Sequence, residues 1–346
     1  MIRTKKWALL KDLFYCFSLL VAAFLLSACQ PEIQKVSTPA LITLAEPLPT
    51  SQPTAVIEPP TATPPPTATA LPTFTPTNTP TPTHTPIPTA TPIPFGHQTI
   101  IGYSVGGRAI ESYQFGQGPL PIIFVGAIHG GYEWNSALLM YEFMDYLQAQ
   151  PDTLPPAITL HIIPAANPDG IYRVVGHSNR FTAADVSDDI FPGRFNGNNV
   201  DLNRNWDCDW QPTGIWRNQT VRAGDYPFSE PENQHLRYFI ETHNPLVVIF
   251  YHSVFDAIFT AGCPDTFAPS RELADIYGQA ANYPVYDQFP AYAISGDASD
   301  YLAKVGIPAF TVELSTRESI DWERNLAGIK ELLTYLVETR GGQLIE

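Results

Sequence analysis

The chain has 346 residues, of which 44% are apolar, and it carries 19 Lys and Arg against 34 Asp and Glu. The formal net charge of −15 argues against nucleic acid as a partner, because nucleic-acid-binding proteins present a basic face to the phosphates. Four Cys in a chain of this length do not form a disulfide scaffold, so the folded part must depend on a buried apolar core.

The first 29 residues have the organisation of a secretory signal. Basic residues between Arg3 and Lys11 precede an almost wholly apolar stretch, Leu13–Leu26. The sequence Leu26-Ser-Ala-Cys29 that follows resembles the bacterial lipobox, in which the cysteine is lipidated and becomes the mature N-terminus. A plain transmembrane anchor is the alternative, since Trp7–Ala28 is long enough to be considered. The favoured interpretation is an extracytoplasmic lipoprotein that is anchored to the cell membrane through Cys29.

Residues 30–96 form a Thr/Pro-rich segment of low complexity. Of the 35 Pro in the chain, 18 fall between Pro31 and Pro94. Proline fixes φ and removes a backbone donor, and the apolar residues of this segment recur with neither a helical nor a strand period. Such a segment cannot form a core, so we expect a disordered, extended stalk that holds the rest of the chain away from a membrane.

The remaining residues, 97–346, are predicted to form one α/β domain. Two alternating segments, Thr99–Ser104 and Ala109–Phe115, flank a Gly-Gly turn and predict a hairpin. Short apolar runs predict buried strands at 121–128, 158–163, 246–251 and 309–314. Apolar residues at helical spacing predict helices at 134–149, 231–241, 269–281, 297–304 and 324–340. Strands that alternate with helices predict a mixed, mainly parallel central sheet with helices on both faces.

Polar side chains follow these strands where each strand ends. His129 and Glu133 follow the first buried strand, His252 follows the third, and Glu313 lies at the end of the fourth. Sites in such sheets lie beyond the carboxyl ends of the strands. A single His at a strand end is more often structural, but these four residues converge. Two His and one Glu with a further free Glu are what a catalytic zinc requires, because three protein ligands leave a place for water.

Several ordered motifs extend across the same region. They are Gly102-Tyr-Ser-Val-Gly-Gly-Arg-Ala-Ile110, Asn167-Pro-Asp-Gly170, Asp201-Leu-Asn-Arg-Asn-Trp206, Tyr251-His-Ser253 and Thr311-Val-Glu-Leu314. In this order they resemble the zinc carboxypeptidase family, the carboxypeptidase A-like enzymes. The resemblance implies the α/β fold of that family, one Zn²⁺ per chain, and removal of C-terminal residues from peptides by metal-activated water.

The resemblance also implies the residues that perform the chemistry. Zinc would be held by His129, Glu133 and His252. Glu313 would be the general base that activates water and later protonates the leaving amine. Arg194 matches the family arginine that polarises the scissile carbonyl and stabilises the oxyanion.

Five further positions match residues that bind or orient in the family. Asn203 and Arg204 match the pair that grips the terminal carboxylate of the substrate, which a guanidinium fork can hold with two hydrogen bonds. Tyr292 resembles the mobile tyrosine that caps bound substrate. Ser299 falls at the base of the specificity pocket, where its hydroxyl leaves the preferred side chain open. Asp201 is expected either to orient a zinc-binding His or to be a turn or cap residue.

One departure from the family pattern bears on activity. The family's first metal motif is His-x-x-Glu, but His129-Gly-Gly-Tyr-Glu133 contains one more residue. Gly130 and Gly131 are expected to absorb the insertion in a flexible loop. If they do not, a ligand is lost and the chain is a non-catalytic module that binds peptides or cell-wall material.

Two further questions stay open at this stage. The substrate is either an ordinary peptide or a peptidoglycan stem peptide, because both carry a free carboxylate. Cys208 and Cys263, 55 positions apart, either form a disulfide at the rim of the site or remain two free thiols. We expect a monomer that has no nucleic-acid partner and meets the membrane only through its N-terminal lipid.

Overall fold

The structure is a computed structural model that describes residues 94–340. The predicted signal peptide, the lipobox Cys29 and the stalk as far as residue 93 lie outside the described residues, as do residues 341–346. Within 94–340, none of the helices has the length and apolar character that crossing a membrane requires.

The described part of the chain contains ten strands, eight of which form one sheet. They are β1 His97–Tyr103, β2 Ala109–Phe115, β3 Leu120–Val125, β4 Ile158–Ile163, β5 Thr213–Trp216, β6 Gln219–Arg222, β7 Val247–Ser253, β8 Ala257–Thr260, β9 Val285–Tyr286 and β10 Ala309–Leu314. The sheet has the order β1-β2-β4-β3-β7-β10-β8-β9, and β5 with β6 forms a separate hairpin. The pairs β3–β4, β3–β7, β7–β10 and β8–β9 are parallel, whereas the other pairs of the sheet are antiparallel.

Helices cover both faces of this sheet. They are α1 Trp134–Ala149, α2 Pro168–Val175, α3 Pro231–His243, α4 Ala268–Ala281, α5 Ala298–Lys304 and α6 Trp322–Arg340. In β3, Ile122 and Phe124 belong to the core shared with α1, α4 and α6, while Ile123 and Val125 belong to the core shared with α3 and α5. Successive residues of a strand point to opposite faces, so a strand buried on both faces is apolar at every position. The predicted fold, a mixed and mainly parallel sheet between helices, is confirmed.

Agreement with the sequence-based elements is close where apolar runs are long, and it fails where they are short. The predicted strands 158–163 and 309–314 and the helix 134–149 match the structure residue for residue. The hairpin β5–β6, the strands β8 and β9 and the helix α2 were missed. The start of α2 had a signal in the sequence, because Asn is a preferred N-cap residue and Pro is favoured in the first turn of a helix. In the structure, Asn167 accepts a hydrogen bond from the Gly170 backbone N–H, and Pro168 occupies the first turn.

A disulfide joins Cys208 to Cys263, with 6.0 Å between their Cα atoms. Next to it, the backbone N–H of Gly296 donates to Cys208 O at 2.7 Å, and the N–H of Trp206 donates to Gly296 O at 3.1 Å. The bridge therefore belongs to a set of contacts that holds the segment before α5 against residues 206–208.

Replacing both Cys208 and Cys263 with Ala should lower the free energy of unfolding by about 4 kcal/mol, because a cross-link closing a loop of this length restricts the unfolded chain. Denaturant unfolding of the double variant and of the wild-type chain measures the difference. Wild-type protein unfolded with a reductant should resemble the double variant. An unchanged midpoint in both comparisons would show that the bridge adds no stability.

Candidate active site

The site begins with two residues that face each other on neighbouring parallel strands. In the register of β7 and β10, His252 is paired with Glu313. Paired residues on adjacent strands point to the same face of a sheet, so both side chains enter the same cleft. The imidazole of His252 is buried, and Glu313 Oε2 is buried without a hydrogen-bond partner among residues 94–340.

Three possible metal ligands lie together at this edge of the sheet, namely His129, Glu133 and His252. Glu133 Oε1 lies 2.9 Å from His129 Nδ1, Glu133 Oε2 lies 2.9 Å from His252 Nδ1, and the two Nδ1 atoms are 3.2 Å apart. A tetrahedral zinc with ligand distances of about 2.0–2.1 Å separates its ligand atoms by about 3.3 Å. The donor set, two imidazoles and one carboxylate, therefore fits Zn²⁺ in both chemistry and spacing.

The longer spacing of the first metal motif is accommodated by a tight turn. Residues Gly130–Glu133 form one 3-10 turn in which all four residues are buried. Gly130 has a φ of 49°, and a Cβ there would lie 2.5 Å from the Gly193 carbonyl oxygen. A Cβ on Gly131 would lie 2.6 Å from the Val174 side chain. The two glycines therefore allow backbone to pack closely at this point, and the extra residue is taken up within a buried turn.

Asp201 lies behind His129, on the side away from the cleft. Its Oδ1 is 3.4 Å from His129 Nε2, and its Oδ2 accepts from Arg194 Nε and Nη2 at 2.8 Å each. Burial opposes ionisation, but the charge of Arg194 and the contact with the His129 ring outweigh it and hold the pKa of Asp201 well below its usual range. Oδ1 also accepts from the Asn203 backbone N–H at 3.1 Å, so this residue both faces the His and caps a turn.

Arg194 is buried between Asp201 and the ligand set. Its Nη1 lies 3.6 Å from Glu133 Oε1, and its guanidinium lies 4.6 Å from the centre of the Trp216 ring. Two of its nitrogens are held by Asp201, which orients the remaining one, Nη1, towards the metal ligands. A carbonyl oxygen entering the cleft there would meet a guanidinium that needs no reorientation.

Glu313 is set apart from the three ligands by its electrostatics. Burial, followed by the negative charge of Glu133, raises the pKa of Glu313 to about 7. A carboxyl group whose pKa lies near neutrality both accepts and returns a proton readily. The same cleft therefore holds a ligand set and a separate group suited to proton transfer.

The next part of the cleft is formed by residues 203–204 and the start of α5. Asn203 Nδ2 donates to Asp297 Oδ2 at 2.7 Å, and Asn203 Oδ1 accepts from the Ala298 N–H at 2.9 Å. Arg204 donates to the carbonyl of Ile215 through Nε and Nη2, and to its neighbour Asn203 O through Nη1. Since a guanidinium has five N–H groups, two of them remain for a ligand as far as residues 94–340 are concerned.

A glycine allows α5 to approach these residues. Gly296 has a φ of 66°, and a Cβ there would lie 2.1 Å from the Arg204 carbonyl oxygen. Tyr292, four residues earlier, is half-buried, and its ring centre lies 4.8 Å from that of Phe289. Burial raises the pKa of the Tyr292 hydroxyl, which also contacts the backbone of Arg217. The tyrosine thus forms a half-buried part of the cleft wall.

Nine of the ten residues assigned from the sequence line one cavity of about 560 Å³. They are His129, Glu133, Arg194, Asn203, Arg204, His252, Tyr292, Ser299 and Glu313.

The sequence did not single out several other residues of the cavity wall, including Trp216, Arg217, Arg317, Asp297 and Asp300. Trp216 and Arg217 come from the missed hairpin β5–β6, whose short strands carry no distinctive pattern. Asp297 had a signal as an N-cap, because an Asp stands at the start of the predicted helix 297–304.

Asp300, in the first turn of α5, is a half-buried carboxylate of this wall. Its Oδ1 accepts from the Gly262 backbone N–H at 2.9 Å. Burial, followed by the negative charge of Asp297, raises the pKa of Asp300 to about 8. The folded chain therefore holds a proton on this group far more tightly than an unfolded chain does.

The fold and this cleft define a class of protein, the metal-dependent peptidases. The family model described as zinc carboxypeptidase, Peptidase M14, matches residues 95–344. The chain belongs to this family.

Individual relatives are distant. Gamma-D-glutamyl-L-diamino acid endopeptidase 1 of Lysinibacillus sphaericus is 25% identical over 242 residues, which are 63% of this chain and 60% of that protein. The chain thus spans less than two thirds of that curated relative. The structure of carboxypeptidase A from Helicoverpa armigera is 22% identical with a TM-score of 0.54, over 69% of this chain and 68% of that one. Bovine thrombin-activatable fibrinolysis inhibitor, solved in complex with tick carboxypeptidase inhibitor, is 18% identical with a TM-score of 0.57, over 70% and 90%. At these identities the solved structures establish the fold alone.

The purified chain should contain about one zinc per molecule, and His252→Ala should lose it, because one of three ligands is removed. Elemental analysis after dialysis measures the metal. His97→Ala, at an exposed position of β1, is the matched control and should retain zinc. Zinc retained by a folded His252→Ala chain, or absent from the wild type after reconstitution, would refute this site.

Asp300→Asn should stabilise the chain more at high pH than at low pH. A carboxyl whose pKa is raised by folding costs stability increasingly as pH rises from about 4 to about 8, and Asn removes that cost while keeping an acceptor for Gly262. Unfolding free energies at about pH 5 and about pH 9 measure the change. Asp275→Asn, in an exposed pair with Arg271, should show a far smaller pH dependence. If Asp300→Asn raised the free energy of unfolding equally at both pH values, the raised pKa of Asp300 would be contradicted.

Proposed function

We propose that this protein is a zinc-dependent peptidase that releases the C-terminal residue of a peptide outside the cytoplasm. The observation that carries this proposal is Glu313 Oε2, which is buried in the cleft that holds His129, Glu133 and His252 and has no hydrogen-bond partner within residues 94–340. A module that only binds has no need for such a group, because an unpartnered buried carboxyl costs stability. A hydrolase needs it as a proton acceptor.

Five residues of the cleft have a part in the chemical step. Zinc held by His129, Glu133 and His252 would supply a Lewis acid that polarises the scissile carbonyl and acidifies water. Glu313 takes the proton of the attacking water at Oε2 and later delivers it to the leaving nitrogen. Arg194 donates from Nη1 to the charge that develops on the carbonyl oxygen.

The specificity for a chain end comes from Arg204 and Asn203. The two free N–H groups of Arg204 provide a charged donor pair for a terminal carboxylate. Asn203 is held in place by Asp297 and by the backbone of Ala298, so this part of the cleft is formed before substrate arrives. Tyr292, in the wall of the same cleft, would cap a bound residue.

A second candidate function shares the site but takes cell-wall peptides as substrate. The observation that favours it is the relative from Lysinibacillus sphaericus, which is named for cleavage beside a diamino acid. A peptidoglycan stem peptide also presents a carboxylate, which Arg204 would receive in the same way. The residues of the reaction are the same for both candidates.

The proposed location is supported by the sequence outside the described residues. A signal-like N-terminus ends at Cys29, and a Thr/Pro-rich segment follows it. A lipid on Cys29 and an extended stalk would hold the catalytic domain away from the membrane, within reach of peptides or of the cell wall.

Glu313→Gln should reduce kcat by about 10²–10⁴-fold and leave the zinc content unchanged, because the general base is lost while the ligands remain. Release of the C-terminal residue from a blocked peptide measures the rate, and elemental analysis measures the metal. Glu318→Gln, an exposed residue on the loop after β10, is the control and should keep wild-type activity. Full activity of Glu313→Gln, or activity that survives complete removal of metal, would overturn the proposal.

A panel of substrates separates the two candidate functions. It contains a blocked peptide with a free C-terminus, the same peptide as its C-terminal amide, and a γ-D-glutamyl-linked peptide. Cleavage of the free acid but not of the amide supports the carboxypeptidase. Preference for the γ-D-glutamyl linkage supports the cell-wall enzyme, and equal cleavage of acid and amide would exclude recognition by Arg204.

A further inference from the structure

The hairpin β5–β6 contacts both arginines of the cleft through neighbouring residues of one strand. Ile215 O accepts from Nε and Nη2 of Arg204 at 3.2 and 3.1 Å. The ring of the next residue, Trp216, is buried, and its centre lies 4.6 Å from the Arg194 guanidinium. A strand presents backbone groups within its plane and side chains across it, so one short strand can reach two arginines that lie in different directions.

Arg194 is attached to its carboxylate partner through a single oxygen. Its Nε and Nη2 both donate to Asp201 Oδ2 at 2.8 Å. The other oxygen, Oδ1, accepts from the Asn203 backbone N–H and faces His129. Two parallel hydrogen bonds to two oxygens would fix the guanidinium plane, whereas a contact with one oxygen leaves that plane freer to tilt. The direction of the remaining nitrogen, Nη1, therefore depends on a second restraint.

The ring of Trp216 supplies that restraint. A guanidinium that lies over an aromatic ring is attracted to its face and keeps its edge free for hydrogen bonds. The ring is itself fixed, because its centre lies 5.0 Å from that of Tyr132 and 5.2 Å from that of Phe191. With this face covered, Nη1 of Arg194 stays directed towards the metal ligands, 3.6 Å from Glu133 Oε1.

Arg204 is positioned by the hairpin in a different way, through its backbone. A Cβ on Gly214 would lie 2.7 Å from Arg204 Cδ and 2.8 Å from Arg204 Cγ, so the stem of the arginine runs directly across this glycine. Ile215 O then accepts from two nitrogens at the far end of the same side chain. The orientation of Arg204 thus depends on the missing side chain at 214 and on a carbonyl at 215.

The hairpin is tied to residues 201–205, which carry the partners of both arginines. Arg222 O, at the end of β6, accepts from the Asp201 backbone N–H at 2.9 Å. Asn205 Nδ2 donates to Ala223 O at 2.7 Å. These bonds set the distance between the hairpin and the segment that it orients, so the two arginines share one support.

We propose that the hairpin β5–β6 sets the relative position of the two arginines that face the substrate. Trp216 is the positioning residue of Arg194, and it acts on the chemical step, where charge develops on the carbonyl oxygen. Gly214 is the positioning residue of Arg204, and it acts on the binding of the terminal carboxylate. This proposal rests on the proposed function, because it assigns roles within the same site.

The two roles predict different kinetic signatures for substitutions two positions apart. With a blocked free-acid peptide, Trp216→Leu should lower kcat about tenfold at nearly constant KM, because Arg194 loses its aromatic partner. Trp216→Phe keeps a ring and should recover most of that loss. Gly214→Ala should raise KM about tenfold at nearly constant kcat, because the new Cβ displaces the stem of Arg204. Thr220→Ala, at an exposed position of β6, is the matched control and should change neither constant.

Each variant should keep its zinc and remain folded at the assay temperature, which elemental analysis and thermal unfolding check. If Trp216→Leu does not fold, Trp216→Met, which fills more of the space without a ring, carries the same prediction. An unchanged kcat in the variant without a ring would overturn the proposal. A rise in KM that matches its loss of kcat would also overturn it, because the ring would then only hold the hairpin together. For Gly214→Ala, an unchanged KM would overturn the role of the glycine.

A binding measurement separates failure of this proposal from failure of the proposed function. Calorimetry on Glu313→Gln compares the free-acid peptide, its C-terminal amide, and a phosphonate analogue whose charged tetrahedral group replaces the scissile carbonyl. Adding Trp216→Leu should weaken binding of the phosphonate about tenfold and leave binding of the free acid unchanged, because the developing charge is present only in the phosphonate. Adding Gly214→Ala should remove most of the difference between acid and amide.

This pattern of affinities supports the proposal even if the wild-type chain cleaves none of the peptides. Cleavage by the wild type, with kinetic constants that neither Trp216→Leu nor Gly214→Ala changes, overturns the proposal and leaves the peptidase assignment in place.

Discussion

The backbone hydrogen bonds between β7 and β10 place His252 directly opposite Glu313, and the active-site cleft is arranged around that pair. Side chains alternate between the two faces along a strand. A slip of one residue between β7 and β10 would therefore point either His252 or Glu313 into the opposite core. The slip is prevented by the apolar residues on both faces, since Val248 and Phe250 belong to one core and Ile249 and Tyr251 to the other. Packing of the whole sheet thus sets the position of two polar groups.

Charge balance around that pair explains why so many ionisable groups can be buried together. Glu133 lies between two imidazoles with Arg194 Nη1 3.6 Å away, and Asp201 is paired with the same Arg194, so both carboxylates face one guanidinium. In the described part of the chain Glu313 Oε2 has no hydrogen-bond partner, and the pKa of Glu313 rises because burial and Glu133 disfavour its charge. The unbalanced carboxyl group is the one suited to proton transfer, and the balanced ones hold and orient.

The central sheet was readable from the sequence because its strands are buried on both faces. Ile158–Ile163 and Ala309–Leu314 are apolar almost throughout and bounded by polar residues. The hairpin β5–β6 was not readable, because its strands have four residues each and expose polar side chains. That hairpin nevertheless supplies Trp216 under the Arg194 guanidinium, so an element without a sequence pattern completes the cleft.

The sequence by itself determined the family resemblance, the fold class and the residue types of a zinc site, since these follow from apolar runs and from motifs in order along the chain. Only the tertiary structure decided how the longer spacing between His129 and Glu133 is accommodated, because that depends on the contacts of Gly130 and Gly131 with distant backbone. It also decided that the Ser299 hydroxyl donates to Asp297 and that Asp300 accepts from the distant Gly262 N–H. Hydrogen-bond partners far apart in the chain determine which polar atoms remain for a ligand, and no local pattern records them.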